Sequence, residues 1–148
     1  METIKEKMIQ NLQNTGMRLT PQRLAICELL VDNHSHPTAT KIYNELKEKY
    51  PSLSPATVYN TLDLLVKIGC VNALGNAWDD NLHYDANIEP HINLMCISCH
   101  NIEDLPSSHV NHLARDIAQS SGFKILGARV AYYGLCTACQ KKQAELKI

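Results

Sequence analysis

In the first half of the chain, apolar residues recur at helical spacing in separate runs, and most of these runs open on a helix-start signal. Residues 3–14 read as a polar, amphipathic helix that Gly16 breaks. Thr20-Pro21 then joins a good N-cap to the residue best suited to the first helical position. The helix it opens, Pro21 to about Val31, carries Leu24, Ile26, Leu29 and Leu30 and is expected to be mostly buried. Pro37-Thr38 starts a third helix with Ile42 and Leu46 on one face, and Pro51 ends it or follows its end. Ser54-Pro55 repeats the cap-plus-proline signal. The fourth helix has Val58, Leu62 and Leu65 on one face and Gly69 as its C-terminal cap. Its other face begins with Thr57, Tyr59, Asn60 and Thr61, polar or amphipathic groups with no core to satisfy them.

After Gly69 the period changes. Cys70–Leu74 and Leu82–Asp85 read as a short hairpin across a polar turn, Gly75–Asn81. Helix, short turn, helix and hairpin together make the pattern of a winged helix-turn-helix. Ala86–Pro90 reads as a hinge. Beyond it, His91–Ile97 and Asn101–Leu105 read as strands flanking a Cys-x-x-Cys pair. Ser107 or Ser108 caps a helix with Val110, Leu113, Ala114 and Ile117 on one stripe. Phe123–Leu135 is a long strand candidate, and a polar tail closes the chain. The expected architecture is α+β. A winged helix occupies 1–86, a hinge 87–90, and a second small α+β domain 91–148.

Cysteine usage sharpens this picture. Four of the six cysteines form two Cys-x-x-Cys pairs, Cys96/Cys99 and Cys136/Cys139, while Cys27 and Cys70 stand alone in apolar stretches. The N-terminal METIKEKMIQNLQ is charged and polar, without an apolar core of signal-peptide length, and no segment approaches a membrane span. A cytoplasmic chain keeps its thiols reduced, so paired Cys-x-x-Cys motifs point to metal. Each motif sets two thiolates on one side of an ion, and two motifs complete a closed tetrahedral site suited to structural Zn2+. The competing reading is a pair of redox-active dithiols or a fortuitous spacing.

A second set of ligand types is scattered more widely: His36, His83, Asp85, His91, Asn93, His100, Glu103, Asp104, His109 and His112. Singly, each reads as a solvated or capping group. As a set they are unusual, because Asp85, His91 and Asn93 bracket the hinge. Imidazole and carboxylate without thiolate suit Fe2+ or Mn2+ and can leave an open coordination position.

Charge complicates the DNA reading. The net charge is −1 over 148 residues, and residues 1–88 hold eight Lys/Arg against ten Asp/Glu. A non-specific polyanion binder is normally basic. DNA binding here needs a small local patch, helped by a divalent metal and by dimerisation. Arg18 and Arg23 are candidates for phosphate contacts, and Tyr59 and Asn60 for the groove. No catalytic constellation, Walker loop or dinucleotide glycine fingerprint stands out, so no enzymatic activity is expected.

The segments GMRLTPQRLAICELL, HPTATKIYNELKEKYPSLSPATVYNTLDLLVKIG, HYD, HINLMCISCHNIEDL and YYGLCTACQKK resemble the Fur family of bacterial metalloregulators, most of all its peroxide-sensing PerR branch. The resemblance runs over nearly the whole chain. It implies a winged-helix DNA-binding domain over 1–86, an α/β dimerisation and metal-binding domain over 91–148, and a cytoplasmic homodimer that represses transcription at double-stranded operator DNA, with no substrate beyond metal ions and peroxide. It puts the structural zinc ligands on Cys96, Cys99, Cys136 and Cys139. It puts the regulatory Fe2+ or Mn2+ on His36, Asp85, His91, Asp104 and the position held by Asn93, where the branch carries a third histidine. Asp85 favours the PerR branch, since the iron-responsive branch tends to carry glutamate there. The recognition helix falls on residues 54–68, and the DNA-facing set on Arg18, Thr20, Gln22, Arg23, Ser54, Thr57, Tyr59 and Asn60. With Fe2+ bound, hydrogen peroxide is expected to oxidise His36 or His91 and end repression. An amide oxygen is a neutral, weaker donor than imidazole, so Asn93 implies lower affinity or altered metal choice. Two other readings stand beside this one: an iron-responsive repressor of uptake genes, and a zinc-stapled interaction protein or enzyme without a DNA role, which the near-neutral charge favours.

Overall fold

Hydroxyl side chains open the helices. Thr3 caps α1 (Ile4–Asn14), Thr20 caps α2 (Pro21–Asp32), Thr38 caps α3 (Ala39–Leu46) and Ser54 caps α4 (Pro55–Lys67), each accepting a backbone N–H from the first turn. A cap of this kind contributes about 1 kcal/mol to its helix. Gly16 follows α1 at φ 83° and Gly69 follows α4 at φ 78°, left-handed conformations that a Cβ would strain. The computed structural model describes residues 1–148 apart from 76–80, 90, 126, 147 and 148. The chain divides into two units, Met1–Ile88 and Glu89–Ile148.

In the first unit, α1 packs on α2 and α4, and α2 and α3 both pack on α4. Leu12, Ile26, Ile42, Val58, Leu62 and Leu65 are fully buried between them. Each such side chain contributes roughly 1.5–3 kcal/mol by leaving water. Leu53, also buried, plugs the turn between α3 and α4. A two-stranded antiparallel wing follows, β1 (Asn72–Leu74) with β2 (His83–Asp85), in the register Asn72↔Asp85. The expected turn Gly75–Asn81 falls mostly outside the described residues. Cys27 and Cys70 are core thiols, and burial, reinforced by the nearby Cys70, pushes the Cys27 thiol up to about 11.

The second unit is a three-stranded sheet in the order β4-β3-β5, with β3 Ile92–Cys96, β4 Ile102–Leu105 and β5 Val130–Gly134. β4 runs antiparallel to β3, while β5 runs parallel to it. Helix α5 (Ser108–Ser121), capped by Ser107, makes the connection that a parallel neighbour requires. Helix α6 (Thr137–Leu146) follows β5.

Several expectations from the sequence are corrected. Thr61 does not belong to the polar face of α4: it is fully buried, and its hydroxyl donates to the Thr57 carbonyl at 2.7 Å, which satisfies the polar atom within the helix. The strand expected over Phe123–Leu135 shrinks to Val130–Gly134, because β3 offers only five residues to pair with. The polar tail is α6, whose run of Ala, Gln, Lys and Glu has high helix propensity without an apolar stripe to announce it. On α5 only Val110 of the expected stripe is buried, whereas Leu113 and Ile117 are 55% and 44% exposed.

Candidate functional site

The two Cys-x-x-Cys motifs meet because of strand register. β3 and β5 run parallel with Cys96 opposite Gly134, so the second motif begins just past the residue that pairs with the first. After Cys96 the chain turns sharply: His100 takes φ 63° and donates its N–H to the Cys96 carbonyl at 3.0 Å. The second motif starts α6, where the Gln140 N–H donates to the Cys136 carbonyl at 3.0 Å. One sulfur from each of Cys96, Cys99, Cys136 and Cys139 then lies within 4.8 Å of the others. The Cys136 backbone N–H points at Cys96 Sγ from 3.4 Å.

Those amides decide the thiol chemistry. The backbone N–H of Cys136, then that of Cys99, holds the Cys96 thiol down to about 5. The Cys139 thiol moves the other way, up to about 11: the Ser98 hydroxyl pulls it down, but bonds to the neighbouring sulfurs, Cys136 foremost, and burial outweigh that. Cys96 is ready to ionise and Cys139 resists, as expected of thiols crowded together without a cation. A divalent ion removes that conflict, and four protein sulfurs could hold zinc in a closed structural site.

The thiol-free ligands fall into one group in each unit. In the first unit, His36 sits in the segment ahead of α3 at φ 57°, a left-handed conformation rare outside glycine. The wing holds it there. The Tyr84 N–H donates to the Pro37 carbonyl and His83 Nδ1–H to the His36 carbonyl, both at 2.9 Å. As a result, His36 Nε2 lies 3.3 Å from Asp85 Oδ2, with both residues buried. The other Asp85 oxygen accepts the Asn87 backbone N–H at 2.9 Å, fixing the carboxylate plane.

In the second unit, His91 Nε2 lies 3.4 Å from Asp104 Oδ1. His91 Nδ1–H donates to the Glu89 carbonyl at 2.7 Å. A backbone carbonyl on one ring nitrogen fixes the tautomer and leaves the other nitrogen as the atom that could coordinate a cation. Asn93 stands opposite Asp104 across β3 and β4, so their side chains share one face of the sheet. Asn93 is buried, and its Oδ1 has no hydrogen-bond partner among the described residues. Imidazole, carboxylate and amide oxygen suit Fe2+ or Mn2+ better than a thiolate-loving ion. The other scattered candidates stay apart from these groups: His100, Glu103, His109 and His112 are exposed, and His83 serves the His36 carbonyl instead. Sequence reasoning did not reach the supporting groups, namely the Glu89 and Val130 carbonyls, the Asn87 N–H and the Ser98 hydroxyl. Only Asp85-Ala-Asn87 carries a local signal, the spacing of an Asx turn.

The DNA-facing candidates divide by accessibility. Arg18, Tyr59 and Asn60 are exposed. Thr20, Ser54 and Thr57 are engaged at helix starts, with Ser54 Oγ accepting the Thr57 N–H at 3.1 Å. Gln22 donates to Ser52 Oγ at 2.8 Å, and the Arg23 guanidinium is anchored on the Arg18 carbonyl. Thus Gln22 ties the start of α2 to the turn that precedes α4.

Comparison with known proteins places the chain in a family. The profile of the Ferric uptake regulator family matches residues 14–133. The peroxide-responsive repressor PerR of Staphylococcus aureus (strain USA300) is 36% identical over 137 residues, covering 93% of this chain and 92% of its own. The structure of the Campylobacter jejuni peroxide stress regulator superposes with a TM-score of 0.70 at 31% identity, over 94% of this chain and 100% of that one. PerR from Streptococcus pyogenes gives a TM-score of 0.55 at 33% identity, over 95% of both chains. The sequence and the fold therefore place this chain in the Ferric uptake regulator family.

Proposed function

We propose that the protein is a cytoplasmic, homodimeric, metal-dependent repressor that binds operator DNA and responds to hydrogen peroxide. Its regulatory ion, Fe2+ or Mn2+, is assigned to His36, Asp85, His91, Asn93 and Asp104, and its structural Zn2+ to Cys96, Cys99, Cys136 and Cys139. One observation carries the reading: in each unit a buried imidazole turns its Nε2 to an aspartate, with no thiolate in the group. Imidazole and carboxylate coordinate a cation only in their deprotonated forms, so loading depends on the free concentration of the metal.

Ligands drawn from both sides of residues 87–90 couple the winged helix to the second unit. Metal occupancy then biases which arrangement is populated, and the ion acts as an effector. α4 is the recognition helix, with Tyr59 and Asn60 reading the groove and Arg18 and Arg23 near phosphate. Thr20, Gln22, Ser54 and Thr57 hold the starts of α2 and α4 in shape beside the DNA backbone. The charge deficit of the first unit makes this binding dependent on the metal and on a second subunit. The exposed apolar residues of the second unit, Leu105, Leu113, Ile117, Phe123, Tyr132 and Tyr133 among them, fit a surface covered by a second copy. Fe2+, when bound, supplies the reduction of hydrogen peroxide. His36 and His91 are the side chains placed to take the oxidation.

The test is metal content and operator affinity, measured together before and after peroxide. The expected result is Mn2+- or Fe2+-dependent DNA binding. Peroxide should abolish it for the Fe2+ form alone, with one oxygen atom added to a His36 or His91 peptide. Metal-dependent binding that survives peroxide would leave the iron-responsive reading in its place. Failure to bind any promoter DNA with either metal would leave the zinc-stapled interaction protein.

A further inference from the structure

Asn93 is 2% exposed, and its Oδ1 is buried without a hydrogen-bond donor among the described residues. Its Nδ2 donates to the Val130 carbonyl of β5 at 3.2 Å. A carbonyl can only accept, so the NH2 end of the amide must face β5 whichever way the two atoms are assigned. The oxygen is thereby turned away from β5. Asp104 stands opposite Asn93 on β4, and His91 precedes it by two residues along the same strand line, so the three side chains share one face. A buried acceptor held in place by its own donor end, on the strand face that also carries Asp104, is suited to ligate a cation.

We propose that Asn93 Oδ1 is such a ligand and that it shifts the relative affinity of the thiol-free centre towards Mn2+, away from later divalent ions such as Co2+ and Zn2+. The inference rests on the proposed assignment of that centre to His36, Asp85, His91, Asn93 and Asp104. With Asn93 the donor set is two imidazoles and three oxygens; with histidine there it would be three imidazoles and two oxygens. Affinity for a given site rises from Mn2+ through Fe2+ to Co2+ and beyond, and imidazole supports the later ions whereas carboxylate and carbonyl oxygen suit Mn2+. Exchanging an imidazole for an amide oxygen therefore takes most from Co2+ and Zn2+ and least from Mn2+.

The experiment uses the full chain with zinc on its cysteines. Mn2+ and Co2+ dissociation constants are measured by competition with a chelating dye for wild type, Asn93→His and Asn93→Leu. Asn93→His should tighten Co2+ about tenfold or more and Mn2+ about threefold or less. Asn93→Leu, similar in volume but without a donor, should weaken Mn2+ by about tenfold or more, with zinc content and circular dichroism unchanged. An unchanged Co2+/Mn2+ ratio in Asn93→His, or full Mn2+ affinity in Asn93→Leu, overturns the inference and leaves the centre standing. If wild type binds neither ion, or if His91→Ala binds both as wild type does, the centre itself fails and takes the inference with it.

Discussion

His36 Nε2 and Asp85 Oδ2 lie 3.3 Å apart although half of the first unit separates them in sequence. Backbone bonds make the approach: the wing strand β2 pairs with the segment ahead of α3 through Thr38↔His83 and Tyr84 N–H to the Pro37 carbonyl. Replacing either side chain removes a proposed ligand and leaves the fold's apolar core untouched. His36→Ala and Asp85→Ala should each weaken the regulatory metal by about 10–100-fold or more, judged by the cost of losing even indirect metal partners. Equilibrium dialysis with Mn2+ checks this, with zinc content constant. Wild-type Mn2+ affinity in both variants would count against the assignment.

The cysteine cluster should behave as a staple. Cys96→Ser or Cys139→Ser removes one of four sulfurs within 4.8 Å of one another. Zinc should fall from about one per chain to near zero, since a structural site needs all four ligands. Residues 89–148 should lose protection from hydrogen exchange while 1–88 keep theirs. A variant that stays zinc-free and fully protected would show that the unit folds without the ion.

Cys27 sets a pH dependence. Its folded pKa of about 11 lies above the ordinary 9.0, chiefly because burial disfavours the thiolate. A raised pKa means that the stabilisation is fully present below the unfolded value. It is lost as pH rises from about 9 towards about 11. The first unit's melting temperature should drop over that interval, and Cys27→Ala should flatten the drop. The folded protein should also resist alkylation at Cys27 near neutral pH, as mass spectrometry of labelled peptides would reveal.

On the DNA side, exposure separates two kinds of effect. Tyr59 is 48% exposed on α4, and Tyr59→Ala should cost about 1–3 kcal/mol of operator binding while sparing non-specific DNA. Arg18→Ala should weaken both kinds of DNA alike and lower the salt slope by about 1. Fluorescence anisotropy over a salt series distinguishes these outcomes, and a Tyr59→Ala variant with wild-type operator affinity would move the reading surface elsewhere.

The exposed stripe of α5 bears on assembly. Leu113 and Ile117 are 55% and 44% exposed, one turn apart. Leu113→Glu with Ile117→Glu should convert the dimer to a monomer in light scattering, with the zinc retained. A dimer of undiminished stability would put the interface on another face.

Helix starts were legible in the chain because the signal is local. Thr20-Pro21 and Ser54-Pro55 satisfy their own first-turn amides whatever surrounds them, and the structure opens α2 and α4 there. Thr61 was misplaced because burial depends on what the helix meets, and α6 went unseen because its sequence has no apolar stripe. The length of β5 could not be read from Phe123–Leu135, since a strand is only as long as its partner.

By itself the sequence determined the ligand chemistry and the local spacing: two Cys-x-x-Cys turns, histidines and carboxylates without a thiolate, and an asparagine among them. A turn of four residues is fixed by bonds within that turn, so each cysteine pair was settled before folding. The tertiary structure decided which groups meet. Parallel pairing of β3 with β5 brings Cys96 to Cys136, a bridge to the wing brings His36 to Asp85, and the Val130 carbonyl turns the Asn93 oxygen away from β5. Such long-range contacts depend on which surfaces bury together, and no residue carries that information alone.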